Sequence, residues 1–312
     1  IDDLEVQDPD PQALMDFVVK MEFRTLSKRL AEKLKVEAPV IAEPTIAVAV
    51  SDAPQASAID PSKYETIRDG AGLQVWVDRI YARGYVAVDT ETTGLNEMRA
   101  DLVGVSLCVE AGEAAYLPLS HRAGQADDLF GTDVLAEGQM DQAAALAMLK
   151  PMLEDSSILK IGQNMKYDAK ILARVGIQIA PIDDTMLMSY AQNGGLHNHG
   201  MDFLSERYLD HAPISIKTLL GSGKSAITFD RVPIDEASRY AAEDADITLR
   251  LWQYLKPGLH RNKVTVVYET LERPLVPVLV EMEMYGIKVD RDTLSRMSNG
   301  FAQKMAGLEA EI

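Results

Sequence analysis

A single cysteine, Cys108, in 312 residues leaves no partner for an internal disulfide and no paired thiols for a zinc site. A reducing cytoplasm is the expected compartment. No run approaches the roughly 20 consecutive apolar residues that cross a bilayer, so a spanning helix is excluded. The chain opens with Ile1-Asp2-Asp3 and not with a basic stretch followed by an apolar run. That predicts no secretory signal, and without an initiator Met the chain is expected to be a piece of a longer protein. Positive charge is also scarce: 31 Lys and Arg stand against 48 Asp and Glu, a net charge of -17. Proteins that hold duplex DNA by neutralising phosphates tend to be basic. If this chain acts on nucleic acid, its contacts must be local, or bound cations or a missing part must supply the positive charge.

What is present is ordinary for a globular chain: 47% hydrophobic and 25% charged residues. The length exceeds what one core usually serves, which predicts two domains or one with appendages. Met15, Phe17, Val18, Met21, Phe23, Leu26, Leu30 and Leu34 trace roughly one stripe, predicting one or two helices over residues 13–35. Residues 36–62 lose that period, are punctuated by Pro39, Pro44, Pro54 and Pro61, and read as a linker. Beyond Tyr64 the chain is dense. Strands are expected at 85–89, at 102–109 and 114–119 joined as a hairpin, and at 158–162. Helices are expected at 142–154, 164–175, 185–191 with Asp184 as cap, 204–208, 234–254 and 259–284. Strands early and helices interleaved later predict an α/β fold with a mixed sheet.

Three short patterns carry candidate chemistry. In Val88-Asp89-Thr90-Glu91 an apolar strand delivers two acids at i and i+2, hence on the same side. Two such carboxylates repel and are costly to bury unless a cation joins them; the bland account is a solvated turn. In Gln163-Asn164-Met165-Lys166-Tyr167-Asp168 a strand gives way to a helix, and Asn164 and Asp168 share a helical face. Taken alone, an Asn cap with an Asp in the first turn explains that pattern. In Tyr240-Ala241-Ala242-Glu243-Asp244-Ala245-Asp246 the Tyr precedes an acid by one turn, and the small Ala residues would let the helix approach a neighbour closely. A solvated acidic face accounts for Glu243 and Asp246, but not for the Tyr.

The ordered set is more specific than its parts. It resembles the DEDD exonuclease superfamily in the subtype with Tyr in its third motif. Four acids at one site suit hard cations with oxygen ligands, Mg²⁺ or Mn²⁺, and two ions roughly 4 Å apart can stabilise the attacking and leaving oxygens of an in-line phosphoryl displacement. Residues 85–95, 149–168, 184–190, 201–208 and 240–249 are similar to the 3′–5′ proofreading exonuclease domain of bacterial DNA polymerase I, and 274–290 resemble the opening of its polymerase domain. The resemblance implies a ribonuclease H-like mixed sheet flanked by helices, with extra helices at both ends. It implies four parts: a helical tail of a 5′-nuclease-type domain at 1–35, a linker at 36–62, the exonuclease at 63–258, and the first polymerase helices at 259–312. Asp89, Glu91, Asp168 and Asp244 would hold two divalent ions, with Tyr240 and Glu91 orienting water. Leu95 would wedge beside the terminal base, Thr90 and Asn164 would lie near the terminal nucleotide, and Gln163, Lys166, Tyr167 and Met201 are weaker substrate candidates. The implied partners are a single-stranded DNA 3′ end, a nucleoside monophosphate product and the polymerase domain of the same full-length chain, with no membrane. This chain departs from the family pattern at Ile216, where relatives can carry an aromatic, and at 194–200, which has an extra residue and lacks an expected Arg.

Gly221-Ser222-Gly223-Lys224-Ser225 imitates a phosphate loop, but Thr218 stands where the pattern needs Gly. His197 and His199 sit in a Gly-rich loop, with a substrate contact open to His199. Two alternatives remain: a catalytically silent scaffold, against which every acid and the Tyr are present, and an RNA-trimming relative, against which the polymerase-like flanks argue.

Overall fold

The computed structural model describes residues 9–21, 23–36, 58–123, 134–223 and 226–311. The chain divides into two compact units, residues 1–52 and 53–312.

In the first unit two helices form, α1 (Pro11–Lys20) and α2 (Arg24–Leu34). Asp10 caps α1 by accepting from the Gln12 and Ala13 amides, and Lys35 ends α2 in the left-handed conformation. Met15, Val18 and Ala31 are buried together, whereas Phe17, Met21, Phe23 and Leu26 are exposed. The single expected stripe is therefore corrected. The break between the helices changes the phase of the apolar repeat, so one continuous 3.6-residue period no longer maps onto one face. Nearly all of the expected linker lies outside the described residues; its last residues lead into a short 3₁₀ turn at Pro61–Lys63.

The second unit is built on a six-stranded mixed sheet. Its early elements are β1 (Glu65–Thr66), α3 (Gly70–Arg83), β2 (Tyr85–Thr92), β3 (Leu102–Glu110) and β4 (Glu113–Pro118). A two-stranded ribbon, β5 (Arg122–Ala123) with β6 (Val134–Leu135), precedes α4 (Gln142–Glu154). Then come β7 (Leu159–Gly162), α5 (Met165–Arg174), β8 (Ile182–Asp184), α6 (Thr185–Asn193), α7 (Met201–Leu209), α8 (Ile216–Leu220) and α9 (Ile234–Arg261). Finally α10 (Thr265–Val267) passes through a π turn (Tyr268–Glu272) into α11 (Arg273–Tyr285), and α12 (Arg291–Glu311) follows. The strand order is β1-β4-β3-β2-β7-β8. The hairpins β2–β3 and β3–β4 are antiparallel, while β1–β4, β2–β7 and β7–β8 are parallel.

Helices cover both faces of the sheet. On one, Leu73, Trp76 and Ile80 of α3 and Leu149 and Met152 of α4 pack on Val86, Val88, Val105 and Leu107. On the other, Ala242, Ala245 and Leu249 of α9 lie on Ala87, Cys108, Ala114 and Ile161. Small side chains on both surfaces let α9 settle close to the central strands, which brings Asp244 beside β2.

The helix expected over 234–254 continues to Arg261, through Pro257, and the one expected over 259–284 is instead α10, a π turn and α11. Pro257-Gly258 reads locally as a stop. In the fold, Leu255 and Leu259 are buried on either side of it, and Gly258 meets α6 so closely that a Cβ there would lie 2.1 Å from Gln192 Oε1. Burial of this turn outweighs the local penalty. The residues after α9 pack on the same unit.

Candidate metal centre

β2 supplies two of the acids. Its apolar first half is locked between β3 and β7, and alternation then presents Asp89 and Glu91 on one side. The β2–β3 register shifts between Glu91 and Thr92, so the pairing of the hairpin loosens just past Glu91. Opposite Glu91 stands Gly104, where a Cβ would lie 2.1 Å from the Tyr116 hydroxyl. Only glycine leaves room for that ring beneath the acids.

The third acid comes from α9, packed against the same strands. Asp89, Glu91 and Asp244 each offer a carboxylate oxygen within 4.8 Å of the others. Asp168, in the first turn of α5, is fastened to the strand residue between the first two: its Oδ1 accepts from the Thr90 amide at 3.0 Å and the Thr90 hydroxyl at 2.5 Å. One turn before Asp244, the Tyr240 hydroxyl lies against its carboxylate.

Among the described residues none of these four acids is paired with a Lys or Arg, and their protonation is displaced accordingly. Burial, and then the Asp244 charge, push Asp89 up to about 8. Glu91 is driven well above the carboxylate range by burial and by Asp89, Asp244 and Asp168. Burial and Asp89 raise Asp168 against the opposing Thr90 hydrogen bonds. Asp244 is raised by burial, with Tyr240 opposing and Glu243 and Asp202 adding to it. Burial and Asp244 hold the Tyr240 phenol protonated. Glu91 Oε1 is buried without a hydrogen-bond partner, a cost a folded protein rarely accepts without a ligand. An all-oxygen donor set with surplus negative charge and an orphaned buried carboxylate oxygen fits a hard divalent cation.

Residues 64–260 match the family model described as 3′–5′ exonuclease. The chain belongs to the 3′–5′ exonuclease family. It is 47% identical to the DNA polymerase I of Rhizobium leguminosarum over 319 residues, covering 99% of this chain and 31% of that protein. The chain thus spans about a third of the polymerase it matches. Among solved structures, a POL domain of Pol1 from M. smegmatis, in complex with DNA primer-template and dNTP, aligns with TM-score 0.59 and 20% identity over 78% of this chain and 36% of that one. Brucella melitensis NrnC aligns with TM-score 0.51 and 24% identity over 72% of this chain and 92% of that one. These likenesses carry the fold, the ribonuclease H-like mixed sheet flanked by helices.

The remaining residues singled out in the sequence fall around the acidic cluster unevenly. Leu95 is 93% exposed on the loop after β2. Tyr167 reaches that loop, donating to Gly94 O at 2.7 Å and bonding the Thr92 hydroxyl at 2.5 Å. Asn164 is exposed, but it precedes α5 as its cap with φ of 61°, so it does not share a helical face with Asp168. Its side chain makes no capping bond; Asp184 does that work, accepting from the Asn164 and Met165 amides. Gln163 is committed to His199 O and to Thr185. Lys166 is ion-paired with Glu283 at 2.6 Å. Met201 starts α7 and packs toward α9, with its sulfur 3.6 Å from the Thr248 hydroxyl. Of the phosphate-loop imitation, Lys224 and Ser225 lie outside the described residues.

The solvated acidic face expected for Glu243 and Asp246 does not exist. Both are buried. Glu243 accepts from the Ile214 amide and bonds His211, and Asp246 takes Tyr64, the Gly112 amide and Arg250. Every residue of α9 from Ala241 to Leu251 is buried, which a helix read in isolation does not reveal. Sequence reading also passed over Asp183 and saw in Asp184 only a cap of α6. The signal was the tandem of acids just before the 185–191 helix, Ile182-Asp183-Asp184, which form the short strand β8.

Proposed function

We propose that this exonuclease domain removes single deoxynucleotides from the 3′ end of single-stranded or frayed DNA, as the proofreading part of a DNA polymerase I. The observation that carries the reading is the convergence of Asp89, Glu91 and Asp244 within 4.8 Å, with Asp168 fastened to Thr90 between them. In this reading Asp89, Glu91, Asp168 and Asp244 hold two divalent ions, Mg²⁺ or Mn²⁺. Such ions would supply the positive charge that makes water a nucleophile near neutral pH and offsets charge on the phosphate and leaving oxygens. Tyr240, kept protonated, and Glu91 orient the attacking water in line with the terminal phosphodiester. The P–O3′ bond breaks, the penultimate 3′ oxygen takes up a proton, and a nucleoside 5′-monophosphate leaves.

The exposed Leu95 wedges beside the terminal base, with Thr90 and Asn164 near the terminal nucleotide. Gln163, Tyr167 and Met201 are secondary contacts, and Lys166 becomes one only by leaving Glu283. Apolar insertion and stacking suit a chain of net charge -17, because they need no broad basic surface. Residues 1–35 are assigned to the tail of a 5′-nuclease-type domain, 36–62 to a linker and 259–312 to the first helices of the polymerase domain. That domain is the partner in the full-length chain, in the cytoplasm. Among the described residues no helix is long and apolar enough to cross a membrane.

Incubation with a 5′-labelled single-stranded oligonucleotide and Mg²⁺ or Mn²⁺ tests the reading. A ladder of shortened products that disappears on chelation and in Asp244→Ala is expected. An unchanged band assigns the domain to the silent scaffold. Preference for a matched RNA oligonucleotide assigns it to RNA trimming.

A further inference from the structure

The segment that follows α9 lies beyond the residues matched by the exonuclease family, 64–260, yet it grips α5 at two places. The first grip starts at Asp183, whose carboxylate is fully buried. It accepts from Trp252 Nε1 at 2.8 Å, Lys256 Nζ at 3.0 Å and the Tyr268 hydroxyl at 2.9 Å, and it pairs with Arg273 at 3.4 Å. A carboxylate so deeply buried persists only with such partners, and Tyr268 and Arg273 come from the π turn and α11. The Tyr268 hydroxyl also accepts from the Asp184 amide at 2.9 Å. Asp184 in turn accepts from the Met165 amide at 2.8 Å and the Asn164 amide at 3.3 Å, the first backbone groups of α5. Asp168 stands one turn further along.

The second grip is Glu283 of α11. It pairs with Lys166 at 2.6 Å and with Lys170. Lys170, with 3% of its side chain exposed, also pairs with Glu97 on the loop that carries Leu95. The start of α5 is not at rest by itself. Asn164 holds φ of 61°, a conformation that costs a non-glycine residue energy and survives where surrounding contacts over-determine it.

We infer that Tyr268 and Glu283 are positioning residues for the exonuclease reaction, holding α5 so that Asp168 meets the other three acids. Neither touches the reacting atoms; both act through α5. The inference rests on the reading of the acidic site given above and extends it to residues outside the exonuclease family match. A displacement of a catalytic group by about 1 Å can cost on the order of 100-fold in rate, so a brace of this kind is felt in turnover before it is felt in substrate binding.

The test compares Tyr268→Phe, Glu283→Gln and the double variant in the 312-residue chain. Three quantities are read: kcat and KM on a 5′-labelled oligonucleotide, Mn²⁺ affinity of the DNA-free protein by titration calorimetry, and the urea midpoint. Expected in the double variant are a kcat about tenfold lower, Mn²⁺ binding weakened several-fold and KM for the oligonucleotide within about twofold of wild type. Glu283→Asp is expected to recover part of the loss. A merely structural role would lower the urea midpoint and leave kcat and Mn²⁺ affinity of the folded protein unchanged, which overturns the inference. Glu283 is half-buried, with 37% of its side chain exposed, so Glu283→Gln decides the matter if Tyr268→Phe does not fold. A folded wild type without nuclease activity overturns the exonuclease reading itself, a distinct result.

Discussion

Asp168 and Thr90 form a double clasp: both the amide and the hydroxyl of Thr90 donate to Asp168 Oδ1. The clasp joins α5 to β2 where β2 presents Asp89 and Glu91. Thr90→Val keeps the shape and the amide bond and removes the hydroxyl. Because the acceptor is a buried acid, the loss is expected to cost about 1.5–3 kcal/mol of stability by urea unfolding. The rate on a single-stranded oligonucleotide should fall about tenfold. Wild-type values for both would show that the amide alone suffices.

Charge repulsion within the cluster separates activity from stability. Asp89→Asn removes one charge from a site where every neighbour is acidic. In chelator the variant is expected to be as stable as wild type or more so, since Asp89 is itself raised by burial and by Asp244. With Mg²⁺ or Mn²⁺, its rate is expected to drop at least ~100-fold, about 2.7 kcal/mol of barrier. Thermal melts beside an oligonucleotide assay check both halves. A large loss of stability in chelator would contradict the repulsive picture.

The same repulsion sets a pH dependence. Asp89 moves from the ordinary 3.8 up to about 8, and Glu91, Asp168 and Asp244 move the same way. In that window the folded chain holds more protons than the unfolded one, so stability declines as pH rises through it. In chelator the melting temperature should fall between about pH 5 and about pH 8, by about 2–4 °C per kcal/mol lost. Mn²⁺ should raise it much more at the upper pH, because ligand binding to the folded state adds stability and protons compete at the lower pH. An equal Mn²⁺ effect at both pH values would refute the assignment.

Leu95 offers the cleanest test of substrate grip. At 93% exposed it contributes little to folding, so Leu95→Ala should change stability by no more than about 0.5 kcal/mol. Loss of its contact with a terminal base should lower kcat/KM on single-stranded DNA about tenfold, close to the worth of one base contact. Unchanged kcat/KM would remove Leu95 from the substrate path.

Local patterns revealed the strands, the 142–154 helix and the α/β class, because period-2 and 3.6-residue repeats of apolar side chains record which face is buried. Asp89, Glu91, Asp168, Tyr240 and Asp244 stand out only as an ordered set that resembles a known family, since each pattern alone is compatible with a solvated turn, a cap or a solvated face. Tertiary structure alone decided the rest. It buried Glu243 and Asp246 beneath neighbouring elements, extended α9 through Pro257, and turned Lys166 toward Glu283. It also ran a chain of hydrogen bonds from Asp183 through Tyr268 and Asp184 to the start of α5. Each of these outcomes depends on partners far away in the chain, and a side chain's charge state and partners follow from what surrounds it in space, which its sequence neighbours do not specify.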